Sequence, residues 1–295
     1  MRDPIPGQRG RGLALTALGV LLMSPDALVV RLAGGDAVSS LAVRNVTLGL
    51  GLGVLALFWP TPRPRAWGPT LLVGLGAGVG SGLFVYAVTH ATAADALIGL
   101  ATQPLSAALI ARFALGEHLP RRTLAAIGLA MIAIGVVASG QPIGGGLGLL
   151  AGIGCGTLFS ANMNLIRRFD RLDPFTGVAM GFFIAGLIAA FFVPLPDLPA
   201  GRWTAILMLT LICLPLSFAL VAIGPRRLPA PVVALLMLGE TTLGPVWVWA
   251  VFYEVPSGRT LLGGGLLIAT LIAHAVFEMR AARVVHRAGA LMTGE

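Results

Sequence analysis

The sequence predicts an all-α integral membrane protein: ten transmembrane helices in two inverted five-helix repeats. Three observations lead there. The 295 residues are 57% apolar and 11% charged, where a soluble domain carries about 45–50% apolar and about 25% charged residues. Long apolar runs recur, separated by short polar or Pro-rich turns. A weak self-similarity returns at one fixed offset. With a mean hydropathy of +0.91, the composition excludes an ordinary water-soluble enzyme.

Roughly 30 Å of hydrocarbon, at 1.5 Å rise per residue, asks for about 20 apolar residues per helix. Helix 1 is expected at 12–32, stopped by Gly34-Gly35-Asp36, and helix 2 at 37–59, stopped by the Pro60 to Arg65 stretch. Helices 3 and 4 follow at 68–89 and 94–114, then Gly116 to Arg122 turns the chain into helix 5 at 122–140. Helix 6 at 146–166 ends on Arg167 and Arg168, and helix 7 starts behind Pro174 and runs to 194. Pro194 to Arg202 leads into helix 8 at 203–223, Pro225 to Pro229 into helix 9 at 229–252, and Pro256 to Arg259 into helix 10 at 260–280. No connection is long enough for an extramembrane domain, so the function is expected within the bilayer.

All 20 basic residues are Arg and none is Lys. That excludes a Walker A loop and Schiff-base chemistry, both of which need a lysine. The isoelectric point of about 11.3 does not make a nucleic-acid binder, because so sparse a charge gives a poor phosphate-binding face. Cys155 and Cys213 lie inside apolar runs, so neither a disulfide framework nor a cysteine metal site is indicated. No cofactor is expected.

The arginines also orient the chain. With both termini in the cytoplasm, sixteen of the 20 fall on cytoplasmic segments: the N-terminal tail, 63–65, 112–122, 167–171, 226–227 and 280–287. Only Arg31, Arg202 and Arg259 face outward, and Arg44 lies within helix 2. The N-terminal arginines ahead of an apolar stretch mimic a signal peptide, but no clear cleavage site follows, and the stretch reads as a retained first helix. The Lys-free composition suits a GC-rich bacterial genome and an inner-membrane location.

The recurring offset is 137 residues. It places Leu115-Gly116-Glu117 on Phe252-Tyr253-Glu254, Leu124 on Leu261, Gly128 on Gly265, Gln103 on Glu240, Asp36 on Asp173, Arg31 on Arg168 and Gly19 on Gly156. The two units are 1–140 and 141–295, five spans each. An odd number of spans inserts the second copy upside down, an arrangement common in secondary transporters, whose sites lie near the midplane between the copies.

The junction Leu115-Gly116-Glu117, a polar turn, Ile127-Gly128 and a helix ending Ile134-Gly135-Val136-Val137 resembles the EamA-type drug/metabolite transporters. The second copy is similar: Tyr253-Glu254, a turn, then Leu262-Gly263-Gly264-Gly265, and Arg44 inside helix 2 also resembles that family. The resemblance implies a central cavity lined by helices 1–4 and 6–9, with helices 5 and 10 outside. It implies a small-molecule exporter, with amino acids as the substrate class. Where many members carry Trp-Gly in helix 1, this chain has Ser24-Pro25-Asp26.

Ionisable groups at membrane depth are costly and mark candidate sites. Glu240 is expected at the midplane of helix 9, and its repeat partner Gln103 about ten residues into helix 4. Asp26 follows Pro25 in the outer half of helix 1, and Asn162, with Asn164, occupies the roughly corresponding part of helix 6. Arg44 lies at a depth comparable with Asp26, so the two could form a structural salt bridge, a gate or a ligand clamp. Tyr86 near the outer end of helix 3 and Trp247, on the Glu240 face of helix 9, complete the candidate substrate-binding set: Asp26, Arg44, Tyr86, Gln103, Asn162, Glu240 and Trp247. Interfacial-belt packing is the alternative role for the two aromatics. His90, His118 and His274 read as structural, as do Glu117 and Glu254 at helix–turn boundaries. Gly74, Gly78 and Gly82, and Gly144, Gly148, Gly152 and Gly156, form small faces for close helix packing.

An intramembrane enzyme would need an activated nucleophile or base. A rhomboid-type Gly-x-Ser-Gly is absent, the chain reading Val79-Gly80-Ser81-Gly82 around Ser81, and no HExxH motif occurs, so it is not expected to be an enzyme. A channel would need a ring of repeated polar groups. The expected partners are a small-molecule substrate and membrane lipid, with no nucleotide and no nucleic acid, and the protein is expected as a monomer or weak dimer.

Overall fold

The computed structural model describes residues 6–33, 36–58, 66–90, 99–100, 102–116, 119–139, 146–169, 172–194, 196–253 and 258–293. Among these residues the chain is helical and no strand occurs. The helices are α1 (Pro6–Met23), α2 (Asp26–Ala33), α3 (Ala37–Phe58), α4 (Trp67–His90), α5 (Gln103–Ala114), α6 (Arg121–Ala138) and α7 (Gly146–Arg168). They continue with α8 (Pro174–Phe192), α9 (Ala200–Met208), a π-helical turn Leu209–Cys213, α10 (Leu214–Arg227), α11 (Ala230–Phe252) and α12 (Gly258–Thr293). Proline sets several of these starts. Pro104, Pro174 and Pro231 stand in first turns, where a missing N–H costs nothing. Asp173 caps α8 from the carboxylate side, accepting from the N–H groups of Phe175 and Thr176.

Among the described residues, seven helices are long and apolar enough to cross a membrane: Gly10–Val30, Ala37–Phe58, Trp67–Ala87, Leu147–Arg168, Pro174–Phe192, Ala200–Gly224 and Val232–Phe252. The other three expected spans fall on α5, which is 12 residues long, on the 18-residue α6, and on α12, whose apolar stretch is Leu261–His274. The expected repeat boundary near 140 lies outside the described residues. Large apolar side chains cover the outside, among them Leu57 82%, Phe113 82% and Phe191 86% exposed. Their natural solvent is lipid.

Two expected helices differ in detail. The first is broken at Ser24-Pro25 into α1 and α2. The fourth is interrupted at Thr102, whose backbone N–H and hydroxyl both turn back to the Gly99 carbonyl, at 3.1 and 2.7 Å. Gln103 is therefore the first residue of α5, not a residue ten positions into an unbroken helix.

Helix approach is governed by glycine. A Cβ added to Gly49 of α3 would sit 2.6 Å from the backbone nitrogen of Phe183, and one added to Gly186 of α8 would sit 2.5 Å from the backbone nitrogen of Val46. The α3 and α8 backbones are thus in contact at two reciprocal points. Gly74 and Gly78 of α4 approach Gly177 and Gly181 of α8 in the same manner, each with 2.7 Å from a built Cβ to a carbonyl oxygen. In lipid, where association relies on packing, such faces are what hold helices together. α6 and α12 pack on each other and on the back of α11 through Ala126, Ile127, Ala130, Ile134, Leu235, Leu238 and Leu267.

Candidate functional site

The break in the first helix sets the site. Pro25 has no N–H, so it frees an upstream carbonyl. The Leu21 carbonyl accepts from the Ser24 hydroxyl at 2.7 Å, and the Leu22 carbonyl from the Cys213 thiol at 3.3 Å. Cys213 closes the π-turn of the α9–α10 rod, and such turns redirect side chains inside a helix. The Trp247 indole N–H donates to Ser24 Oγ at 2.7 Å. The break is therefore tied to α10 on one side and α11 on the other.

Just past the break, Asp26 opens α2 and meets Arg44 of α3. The two are 3% and 2% exposed. Arg44 Nε donates to Asp26 Oδ1 at 2.6 Å, and Nη2 donates to Asp26 Oδ2, which makes the pair bidentate. Arg44 Nη1 donates to Asn45 Oδ1 and to Ser81 Oγ, both at 2.8 Å, and the Ser81 hydroxyl donates to Asn45 Oδ1 at 2.9 Å. The guanidinium also lies 5.6 Å from the Phe84 ring and 5.7 Å from the Phe182 ring. A buried charge survives only when paired and hydrogen-bonded, and here three helices supply the partners. The planar fork of arginine is suited to this and an ammonium is not. By helix rise, Asp26, Arg44 and Ser81 lie about 10–14 Å from the ends of α2, α3 and α4 that face away from the arginine-rich loops.

A cleft occupies the opposite half. Leu52, Ala77, Phe159, Asn162, Met163, Ile166, Pro174, Phe175, Val178, Phe218, Val221, Ala222 and Met237 line it, around a space of ≈ 550 Å³ that includes open solvent. These residues come from α3, α4, α7, α8, α10 and α11, and none comes from α6 or α12. Pro174 begins α8 and Ile166 is nearly at the end of α7, so the cleft reaches the face carrying Arg167, Arg168 and Arg227. Its floor at Ala77 lies about 15 Å below that face by helix rise. Asn162 is the one polar side chain in the lining.

The candidate residues divide as follows. Asp26 and Arg44 come together as the core of the cluster. Asn162 is buried, donates from Nδ2 to the Val73 carbonyl at 3.0 Å, and so bridges α7 to α4 while lining the cleft. Gln103 is buried against α7: its carbonyl accepts from Ser160 Oγ at 2.8 Å and its Nε2 meets Met237 Sδ at 3.6 Å. Glu240 is half-buried one turn above Met237 and within electrostatic range of Asp26 and Arg44. Trp247, 40% exposed, reaches the helix break through Ser24. Tyr86 is 37% exposed and, five residues beyond Ser81, points about 140° away from it around α4. His274 is buried in α12, whereas Glu117, His118 and Glu254 lie outside the described residues. Sequence reasoning did not assign Asn45, Ser81, Phe84, Phe182, Ser24 or Cys213 to the site. The polar ones were detectable as hydroxyls and an amide at membrane depth, but nothing in the sequence said that α3 and α4 bring them to one guanidinium. Among the described residues no group of three or more His, Cys, Asp or Glu side chains could hold a metal ion.

Residues 10–139 match the EamA-like transporter family, which bears out the resemblance of the helix 4–5 junction. A solved crystal structure superposes with a TM-score of 0.75 at 21% identity, covering 91% of this chain and 99% of that one. At that identity the likeness shows the fold. No curated protein sequence matches the chain.

Proposed function

We propose that this multi-pass membrane protein, EamA-like over residues 10–139, is a secondary transporter of small metabolites working by alternating access. The observation that carries the proposal is the cleft. It is lined by helices from both halves of the chain, reaches the arginine-rich face at Ile166 and Pro174, and has its floor at mid-depth near a buried ion pair. A cleft that runs from one face to mid-depth is the form expected of a carrier open to that side.

The proposal includes ten spans in two inverted repeats. The helix pairings support it: α4 packs on α7 as the first helix packs on α10, α5 on α7 as α1 on α11, while α3–α8, α5–α11 and α6–α12 pair across the axis. The reciprocal glycine contacts support it more sharply. Gly49 meets Phe183 and Gly186 meets Val46, and the 137-residue offset exchanges these two contacts with each other. A pseudo-two-fold axis through the α3–α8 crossing has that consequence. The proposal puts both termini in the cytoplasm of a bacterial inner membrane, with the cleft facing inward, and the arginine distribution supports that orientation.

The substrates proposed are amino acids, moving outward. Asp26, Arg44, Gln103, Asn162 and Glu240 are assigned to the path, with Trp247 at its outer end. Glu240 has two possible tasks, carrying a coupling proton or receiving a substrate ammonium. Counterflow into proteoliposomes, with a panel of labelled amino acids and with or without a pH gradient, tests the proposal. Saturable exchange of at least one member is expected; a preparation that is monodisperse but exchanges none of them, nor other small metabolites, overturns it.

A further inference from the structure

We infer that the Asp26–Arg44–Asn45–Ser81 cluster is the closed half of the transport path, the counterpart of the open cleft zipped shut by side chains. The inference rests on the transporter reading and goes beyond it by assigning the gate. Its basis is the 137-residue offset applied to the two places. Phe218, Val221 and Met163 line the open cleft. Their counterparts are Ser81, Phe84 and Asp26. These three surround Arg44 in the opposite half: two hydrogen-bond it, and the Phe84 ring stacks on it. The same surface is thus parted in one half and sealed in the other.

The seal is chemically unlike its counterpart. The Ser81–Asn45 hydrogen bond between α4 and α3 corresponds to the edge-on Phe218–Phe182 pair between α10 and α8, with ring centroids 5.3 Å apart. Arg44 itself corresponds to Gly181. The α3–α4 seam is therefore polar, whereas its counterpart between α8 and α10, which stays in contact beside the cleft, is aromatic. Above the lattice, toward the face opposite the cleft, Val30, Ala37, Leu41, Phe84 and Val85 form a small apolar plug. Trp247 and Ser24 make a second tie at the same end. Opening this half requires Asp26 to leave Arg44, and the helix break at Pro25 supplies the joint about which α2 swings.

Cysteine accessibility tests it. Reporter cysteines are placed at Ala222, in the cleft, and at Val85, in the plug and 1% exposed. Labelling uses a membrane-impermeant maleimide against a background of the native cysteines alone. With the cluster intact, Ala222→Cys labels fast and Val85→Cys slowly. Adding Ser81→Ala, which removes one acceptor from the guanidinium without changing charge, should raise the Val85→Cys rate about tenfold and lower that of Ala222→Cys. Asp26→Asn should do so more strongly. If Asp26→Asn does not give folded protein, Ser81→Ala decides alone. Unchanged rates at both reporters in folded Ser81→Ala protein overturn the gate. Counterflow activity with unmoved reporters would sink the gate and leave the transporter; moved reporters with no counterflow would do the reverse.

Discussion

The α3–α8 crossing makes a prediction in which two distant substitutions must cost the same. Gly49→Ala would place a methyl carbon 2.6 Å from the Phe183 nitrogen, and Gly186→Ala one 2.5 Å from the Val46 nitrogen. Carbon and nitrogen need about 3.4 Å or more for ordinary contact, so each methyl overlaps backbone by nearly an ångström. Backbone cannot rotate away as a side chain can, and the helices must part along their whole seam. Overpacking costs about 1–3 kcal/mol and sometimes more; with backbone on the receiving side, about 3 kcal/mol for each variant is expected. Gly128→Ala is the control, since nothing lies within 4 Å of its built Cβ, and it should stay within about 0.5 kcal/mol of wild type. Thermal melting of the detergent-purified protein, followed by fluorescence-detected size exclusion, reads all three. If both crossing variants melt with Gly128→Ala, the backbone contact and the two-fold built on it are refuted. A large loss in one and not the other would refute the reciprocity alone.

The other predictions concern buried charge. Asp26→Asn leaves the Arg44 fork without its bidentate carboxylate and should destabilise by about 3–5 kcal/mol, while Asp26→Asn with Arg44→Gln, which removes both charges, should recover most of that loss in the same melting assay. Glu240→Gln should change transport in one of two readable ways. It abolishes the response to a pH gradient if Glu240 carries the proton, or weakens substrate affinity by about 1–3 kcal/mol if Glu240 binds an ammonium; unchanged pH response and affinity together remove Glu240 from the mechanism.

Much of the fold was legible because lipid leaves the sequence few options. Every backbone polar group must be satisfied within the segment, so apolar length and turn residues alone define helices. The starts at Pro174 and Ala230 and the ends at Phe58 and Phe252 fall within a residue or so of expectation. The interruption at Thr102 was not legible, since the turn is held by a hydroxyl and a backbone bond to Gly99, and Thr is tolerated in apolar helices. The π-turn at Leu209–Cys213 was not legible either; its tie outside the rod, from the Cys213 thiol to the Leu22 carbonyl, is to another helix. For the site, Asp26 and Arg44 could be paired by depth, because two opposite charges at one level in lipid have every reason to meet. Asn45 and Ser81 could not. Their role depends on the rotation of α3 against α4, which is set by glycine contacts with α8 and not by anything adjacent in the chain.

The comparison between the two halves bears on why Arg44 is buried at all. A buried ion pair is weak evidence for stability, because desolvation cancels most of the attraction. Here the fold supplies its own reference. At the positions equivalent to Asn45 and Ser81, the same kind of helix seam is closed by Phe182 and Phe218, rings in edge contact, with Phe182 also lying 5.7 Å from the Arg44 guanidinium. At the position equivalent to Arg44 stands Gly181, approached directly by the α4 backbone. That seam therefore closes without a hydrogen-bonded charge of its own. A lattice of Asp26, Arg44, Asn45 and Ser81 differs from aromatic packing in one respect that matters: its bonds are directional. Small displacements break them together, and water or a polar substrate can replace each one. Asn45 Nδ2 is already buried without a hydrogen-bond partner among the described residues, so the lattice is not fully satisfied even when shut. A closure made of exchangeable bonds, short of its full complement, suits a surface that must open to polar ligands more than one that must only hold the fold together.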